Sequence, residues 1–211
     1  MFYASWDNHH ILGSALPQRV GQLNAWCSHA HADFQRRLVG ELLTQYEPIA
    51  EFWVDIPGFL SREDRRRQYE LIAQLSPDTF VVLNQGFITG EKIQVDTAWP
   101  TDLASMERHL PSHPMQKTGY NPWFELDIPG CGRGWYYIHG EVCDTIGWEW
   151  FWHADDPPRS HAEMVGMRAV ASARGVNFLL NVPPDVRGRL PDESVATLMR
   201  LRKKYEQLFG D

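Results

Sequence analysis

Asp55 closes an apolar run, residues 49–54 (IAEFWV), and is followed at once by Ile56-Pro57-Gly58. A carboxylate at a strand end, flanked by Trp53 and held by a rigid Pro-Gly pair, suits a nucleophile or base. The same position also suits a helix-capping or turn-forming Asp. Two other apolar runs end on polar side chains, residues 2–6 on Asp7 and residues 79–83 on Asn84. A second carboxylate, Glu141, stands in HGEVCDTIGWEWFWH. Aromatic and apolar surroundings favour the protonated carboxyl that a general acid needs. A buried ion-pair partner is the competing reading for Glu141, and Glu149 and Asp144 are its rivals in the same segment. Two carboxyl groups facing each other across a sugar would define a retaining glycosidase.

Histidines offer a different chemistry. His29, His31 and Asp33 form an HxHxD pattern of the kind that converges on a metal at a strand end. Here the pattern lies inside a helical stretch, where His29 and Asp33 share a face and His31 points elsewhere, so a solvated helix face is the simpler reading. His9, His10 and His153 stand nearer to strand ends and could hydrogen-bond sugar hydroxyls.

The elements that must position these groups alternate along the chain. Residues 2–5 predict a strand. A helical pattern runs through Phe34, Leu38, Leu42 and Leu43 to Tyr46 and is ended by Pro48. Residues 49–54 predict a strand, and Ser61 with Asp64 caps a helix burying Tyr69 and Ile72. Residues 79–83 predict a third strand. Residues 90–134 read as Pro- and Gly-rich loop, with a short strand near Val95 and a short helix near Leu103. Residues 135–139 predict a strand, residues 160–174 a helix, and residues 176–182 (VNFLLNV) a strand. Asp192 caps a last amphipathic helix with Val195, Leu198, Met199, Arg202, Tyr205 and Leu208 on its apolar stripe. Strand, polar loop, helix, strand is the grammar of an α/β fold with a parallel sheet, in which reactive groups gather at the C-terminal strand ends. With no repeat and no linker, residues 1–211 read as one domain.

Composition narrows the partners. Among 211 residues, 27 Asp and Glu face 20 Lys and Arg, for a net charge of −7. That balance disfavours nucleic acid and anionic membrane surfaces, which call for basic proteins. Hydrophobic residues make up 43% of the chain, which excludes global disorder, yet no run is long enough to span a membrane. The first residues, MFYASWDNHH, lack a signal-peptide pattern, which predicts a cytoplasmic location, or else a mature or truncated form. Cys27, Cys131 and Cys143 are an odd set without CxxC spacing and read as free, mostly buried thiols. Nine Trp, seven Tyr and ten Phe suit either a large core or a cleft that stacks sugar faces.

Taken together, four segments resemble the α-L-fucosidases of glycoside hydrolase family 29. QRRLVGELLTQYEPIAEFWVDIPG is similar to the family's "QLRELLTNYGPI" helix and the "WFDG" strand carrying its nucleophile. FYASWDNHH resembles the preceding strand, "YYSPWDWNHP". GEVCDTIGWEWFWH resembles "AECDVSIRPGWFYH", and NFLLNVPPDVRGRLPDE is close to "NLLLNVPPDRRGLIPE". Gly147-Trp148-Glu149 replaces the family's "RPG", and 86 positions separate Asp55 from Glu141.

The resemblance implies a retaining α-L-fucosidase with Asp55 as nucleophile and Glu141 as acid/base, acting without metal or organic cofactor on a fucosylated glycan or glycoside. Trp6, Asp7, His9, His10, Trp53, Asn84, Trp148 and Trp150 would line its sugar site. It implies a (β/α) TIM-barrel-like catalytic domain. Such barrels have eight strands in about 250 residues, and five or six strands here predict an N-terminally truncated or incomplete one. Two earlier strands and their fucose-binding histidines would then be missing, unless His9 and His10 stand in. An open barrel exposes sheet edges, so a homo-oligomer covering the open side is expected. A non-catalytic carbohydrate-binding or structural remnant is the alternative.

Overall fold

In the computed structural model of the chain, residues 2–3, 29–46, 48–84, 98–110, 123–128 and 130–210 are described. They fall into two compact units, residues 1–105 with 121–139, and residues 106–120 with 140–211. None of the described helices is long and apolar enough to cross a membrane.

The first unit is built on a parallel sheet, β1 (Phe2–Tyr3), β2 (Glu51–Asp55) and β3 (Phe80–Asn84), in that order. Its register pairs Glu51 with Phe80 and Asp55 with Asn84, so β2 and β3 end level with each other. Helices α1 (His29–Gln45) and α2 (Arg62–Leu75) supply the apolar layer. Phe52, Val54, Val81 and Leu83 pack with Ala32, Val39, Leu60 and Ile72 in one buried cluster. Alternation along β2 therefore turns Trp53 and Asp55 to the opposite face of the sheet.

Helix α2 starts as its sequence predicts. Ser61 Oγ accepts from Asp64 N–H at 3.1 Å and donates to the Asp64 carboxylate at 2.6 Å. The reciprocal bonding satisfies a donor that the first helical turn leaves free. Arg36 of α1 also reaches Asp64, at 2.9 Å, and so locks the two helices together. Arg65, fully buried, donates to the Leu60 carbonyl at 2.6 Å and ties down the loop entering the helix.

The outer edge of β3 is bonded by the Thr101–Asp102 segment, through its side chains and through Asp102 N–H to the Val81 carbonyl at 2.8 Å. Asp102 accepts from Val81 N–H at 2.8 Å, and Thr101 Oγ1 accepts from Leu83 N–H at 3.1 Å. Tyr69 donates to the other Asp102 oxygen at 2.5 Å. The short helix expected near Leu103 is instead a strand, β4 (Leu103–Ser105). All three of its residues are buried, which suits a short strand covered on both faces rather than a half-solvated helix. The strand expected near Val95 lies outside the described residues.

Part of the expected loop is a hairpin, β5 (Trp123–Ile128) with antiparallel β6 (Gly132–Tyr137). Leu126 and Ile128 are buried while Glu125 and Asp127 are exposed, the period of a half-solvated strand. Gly130 and Gly132, at φ 88° and 84°, make the turn that side chains with a Cβ rarely adopt. Cys131 is exposed there, against the expectation of buried thiols, whereas Cys143 is buried. Cys27 lies outside the described residues.

The second unit contains most of β7 (His139–Thr145), a strand that the sequence reading leaves out. Parallel to it runs β8 (Asn177–Asn181), with Glu141 against Asn177 and Thr145 against Asn181. Helix α3 (His161–Arg174) connects them, capped by Ser160 Oγ on Glu163 N–H and closed by left-handed Gly175. Helix α4 (Asp192–Phe209) follows, with Pro191 at its N-cap where Asp192 is expected. Its buried residues are Ser194, Thr197 and Leu201, and Leu198 and Tyr205 lean on the Ile146–Met164–Leu201 cluster. Val195, Met199, Arg202 and Leu208 of the predicted stripe face outward. Contact with α3 selects the Leu201 side of the helix, and periodicity alone cannot see that choice. Among the described residues the parallel strands do not close a barrel.

The Asp64 contacts make a sharp stability prediction. Asp64→Ala removes the cap partner and leaves Arg36 only its exposed neighbour Asp33, so urea unfolding should lose about 1–3 kcal/mol. Arg66→Ala, which breaks solvent-exposed pairs with Glu63 and Glu70, should leave the unfolding midpoint unchanged.

Candidate active site

Asp55 ends β2 at the C-terminal edge of the parallel sheet, where this architecture collects reactive groups. Asn84, level with it at the end of β3, donates from Nδ2 to Asp55 Oδ1 at 2.9 Å. The next residue, Ile56, is held at φ 47°, ψ 48°, in the left-handed region that a β-branched side chain avoids. Its N–H is bonded to the Asn84 carbonyl at 2.9 Å, and Pro57–Phe59 then forms a buried 3-10 turn. Two bonds to one neighbour thus hold the chain in a strained turn just beyond the carboxylate. Strain of this kind, retained because its surroundings over-determine it, is common at functional sites.

Of the proposed sugar contacts, Asn84 is 4% exposed and serves to orient Asp55. Trp53 is also 4% exposed and lies within the fold. Trp6, Asp7, His9 and His10 lie outside the described residues. His31 and Asp33 lie on α1 as expected, with Asp33 paired to Arg36 and the His31 ring tilted against Phe34.

In the second unit, Glu141 lies within β7. It is completely buried at the N-terminal end of the β7–β8 pair, level with Asn177, whose Nδ2 donates to its Oε2 at 2.7 Å. This is the end of a parallel sheet concerned with stability rather than chemistry, and the position is that of a buried brace. The sequence reading does not recognise β7, so Glu141 carries no strand position by which to judge it.

The C-terminal end of β7 is where polar groups converge. Asp144, 7% exposed, pairs with Arg159 at 3.0 Å and stands 3.7 Å from Arg108. Each arginine lies over an indole, Arg108 over Trp150 at 4.7 Å and Arg159 over Trp148 at 5.3 Å. Arg108 also donates to the Trp148 carbonyl at 2.5 Å, and Arg159 donates to the Thr145 carbonyl. One buried carboxylate thereby fixes two cations, and the cations fix two tryptophans.

The loop carrying those tryptophans is clamped from its far side by Asp156. Its carboxylate accepts from Trp148 N–H at 2.8 Å and from Glu149 N–H at 2.9 Å. Asn181, last residue of β8, holds the Trp150 carbonyl at 3.1 Å. Glu149 is exposed between the two indoles in sequence, on a backbone pinned at both neighbours. Arg108, Asp156 and Arg159 are missed by sequence reading. Only the run of Gly147 before Trp-Glu-Trp and the Asp155-Asp156-Pro157-Pro158 turn hint at a built loop, and nothing local marks Arg108.

Gly147 is part of that clamp. A Cβ there would run into the Asp156 carboxylate, which sits where only glycine leaves room. Gly147→Ala should therefore release the Trp148 and Glu149 amides, changing tryptophan fluorescence and near-UV circular dichroism. Asp156→Ala should reproduce the change, and the double variant should add little, because both substitutions remove one contact.

Comparison with known proteins agrees with this architecture. The chain is 24% identical over 223 residues to Alpha-L-fucosidase 1 of Arabidopsis thaliana, a match spanning 100% of the chain and 39% of that relative. It thus spans about two fifths of the length of the curated relative. Alpha-L-fucosidase isoenzyme 1 from Paenibacillus thiaminolyticus shares its fold at a TM-score of 0.59 and 22% identity, over 88% of this chain and 41% of that one. Alpha-L-fucosidase AlfC from Lactobacillus casei, solved with its alpha-L-fucose product, superposes at a TM-score of 0.54 and 19% identity, over 84% and 46%. The family profile described as Alpha-L-fucosidase matches residues 4–204, nearly the whole sequence, and the chain belongs to that family.

Proposed function

We propose that the chain carries retaining α-L-fucosidase chemistry, releasing terminal α-L-fucosyl residues from glycans or glycosides through a covalent fucosyl-enzyme intermediate. The observation that carries this reading is Asp55, fixed at the C-terminal end of β2 by Asn84 at 2.9 Å and by the strained turn at Ile56. A nucleophile gains from a fixed near-attack orientation, and Asn84 supplies it without neutralising the carboxylate.

In the first step an Asp55 oxygen bonds to the anomeric carbon as the bond to the aglycone oxygen breaks. The acid/base residue gives its proton to that leaving oxygen. In the second step the same residue takes a proton from water, whose oxygen attacks the anomeric carbon and frees Asp55. Exposure at the C-terminal end of β7 supports Glu149 for the acid/base role, and burial at the opposite end speaks against Glu141. The Trp148 and Trp150 indoles would take the apolar face of the sugar. A homo-oligomer remains part of the proposal, since among the described residues β8 is the last strand of its sheet.

Hydrolysis of an aryl α-L-fucoside between pH 4 and 8 tests the reading. Asp55→Ala should lower kcat by about 10³-fold or more, and Asn84→Ala by about a hundredfold through misplacement of Asp55. Glu149→Gln should cost about 10²–10⁴-fold, whereas Glu141→Gln should leave kcat close to that of the parent. The opposite pattern would return the acid/base role to Glu141. Fucose binding without turnover, equal in the parent and Asp55→Asn, would assign a non-catalytic carbohydrate-binding remnant instead.

A further inference from the structure

The β5–β6 hairpin presents a second surface with the chemistry of a glycan-binding platform. Along β6 the side chains of Arg133, Trp135 and Tyr137 alternate outward, and Trp135 and Tyr137 are 63% and 54% exposed. The register places Glu125 opposite Trp135 and Asp127 opposite Arg133, so these polar groups share the aromatic face. The other face carries Leu126 and Ile128 and is buried. Tyr136 turns to that buried side and meets Trp99 edge-on at 5.7 Å. The hairpin is thus anchored through one face while its aromatic face stays in solvent.

Three features identify what that face fits. The first is rigidity. Tyr137 Oη lies 3.1 Å from His139 Nδ1, and burial pushes the His139 pKa down, which favours the neutral ring able to accept the phenolic proton. Two aromatic residues two positions apart on a strand stand about 7 Å from each other, level with the same face. The second is the polar neighbour. Arg133 Nε donates to Glu125 at 2.9 Å, which fixes a donor and an acceptor beside the Trp135 indole. The third is composition, since the described exposed side chains of this face include no aliphatic one.

An apolar protein partner would have to desolvate that ion pair next to the centre of the patch, which is unfavourable without compensating bonds. A pyranose ring has an apolar face of C–H bonds and a rim of hydroxyls, so it matches an indole plane beside fixed polar groups. Two carboxylates against one guanidinium leave this face with a small negative charge, which disfavours acidic sugars and nucleic acids.

We infer that the β5–β6 face is a glycan-binding surface for an extended neutral oligosaccharide, with pyranose rings stacked on Trp135 and Tyr137 and hydroxyls bonded to Arg133 and Glu125. The inference rests on the carbohydrate reading above for the class of ligand, and its residues are none of those proposed for bond cleavage. The surface would hold the non-fucosyl part of a glycan or tether the protein to a polysaccharide.

The test is calorimetric titration of the full chain with cellohexaose, xylohexaose, mannohexaose and lacto-N-hexaose, paired with the aryl-fucoside assay. At least one oligosaccharide should bind. Trp135→Ala and Tyr137→Ala should each weaken that binding tenfold or more, while Tyr46→Ala, which removes an exposed aromatic elsewhere, should not. Aryl-fucoside turnover should be the same in all three variants. The inference is overturned if none of the four sugars binds, or if binding survives the loss of both hairpin aromatics. It is equally overturned if Trp135→Ala abolishes self-association measured by sedimentation, for then a second copy covers the face. Binding that meets these expectations with no fucoside turnover would overturn the proposed hydrolase activity and leave the platform standing.

Discussion

The level ending of β2 and β3 is the constraint from which the first unit's chemistry follows. Parallel strands in register bring their C-terminal residues side by side, here Asp55 and Asn84. With Val54 and Leu83 committed to the helix-facing core, their neighbours Asp55 and Asn84 must point the other way. A one-residue slip would exchange these faces and put the carboxylate under α1 and α2. Hydrophobic packing therefore sets which way the nucleophile candidate points. The Asn84 amide then fixes it within hydrogen-bond distance. The cost of the left-handed turn at Ile56 is carried by bonds to β3 and by the buried Pro57–Phe59 turn.

The second unit reaches a similar result by electrostatics. Asp144 is nearly buried and would be costly alone, yet Arg159 and Arg108 both approach it. Once held, the two guanidinium groups support the Trp148 and Trp150 rings. Asp156 restrains the same loop through its backbone amides, in a space that exists because residue 147 has no side chain. The loop is irregular in conformation and still well supported, as expected for functional loops on a rigid scaffold.

Much of this was legible in the residues themselves. The capping pair at Ser61, the helices α2 and α3, and the strands ending on Asp55 and Asn84 all follow from local chemistry. The misses have a common cause. β4 is three residues long, β5 lies in a stretch rich in Pro and Gly, and β7 mixes Gly and charged residues with Val, Cys and Thr, so in each the strand character depends on the pairing partner rather than on a local pattern. The outward face of α4 was misjudged for the same reason, since Val195 and Leu201 are equally apolar and only contact with α3 distinguishes them.

By itself the sequence determined the family, the alternating α/β grammar and the identity of Asp55 as a carboxylate at a strand end. These depend on residue types and short spacings that survive without three-dimensional context. Only the tertiary structure decided which carboxylate near β7 is buried and which is exposed, that Trp53 is covered while Trp148 is open, and that Trp135 and Tyr137 share a solvent face. Burial and facing come from contacts between residues distant in the chain, and solvent access, rather than residue type, determines whether a carboxylate or an indole can meet a ligand.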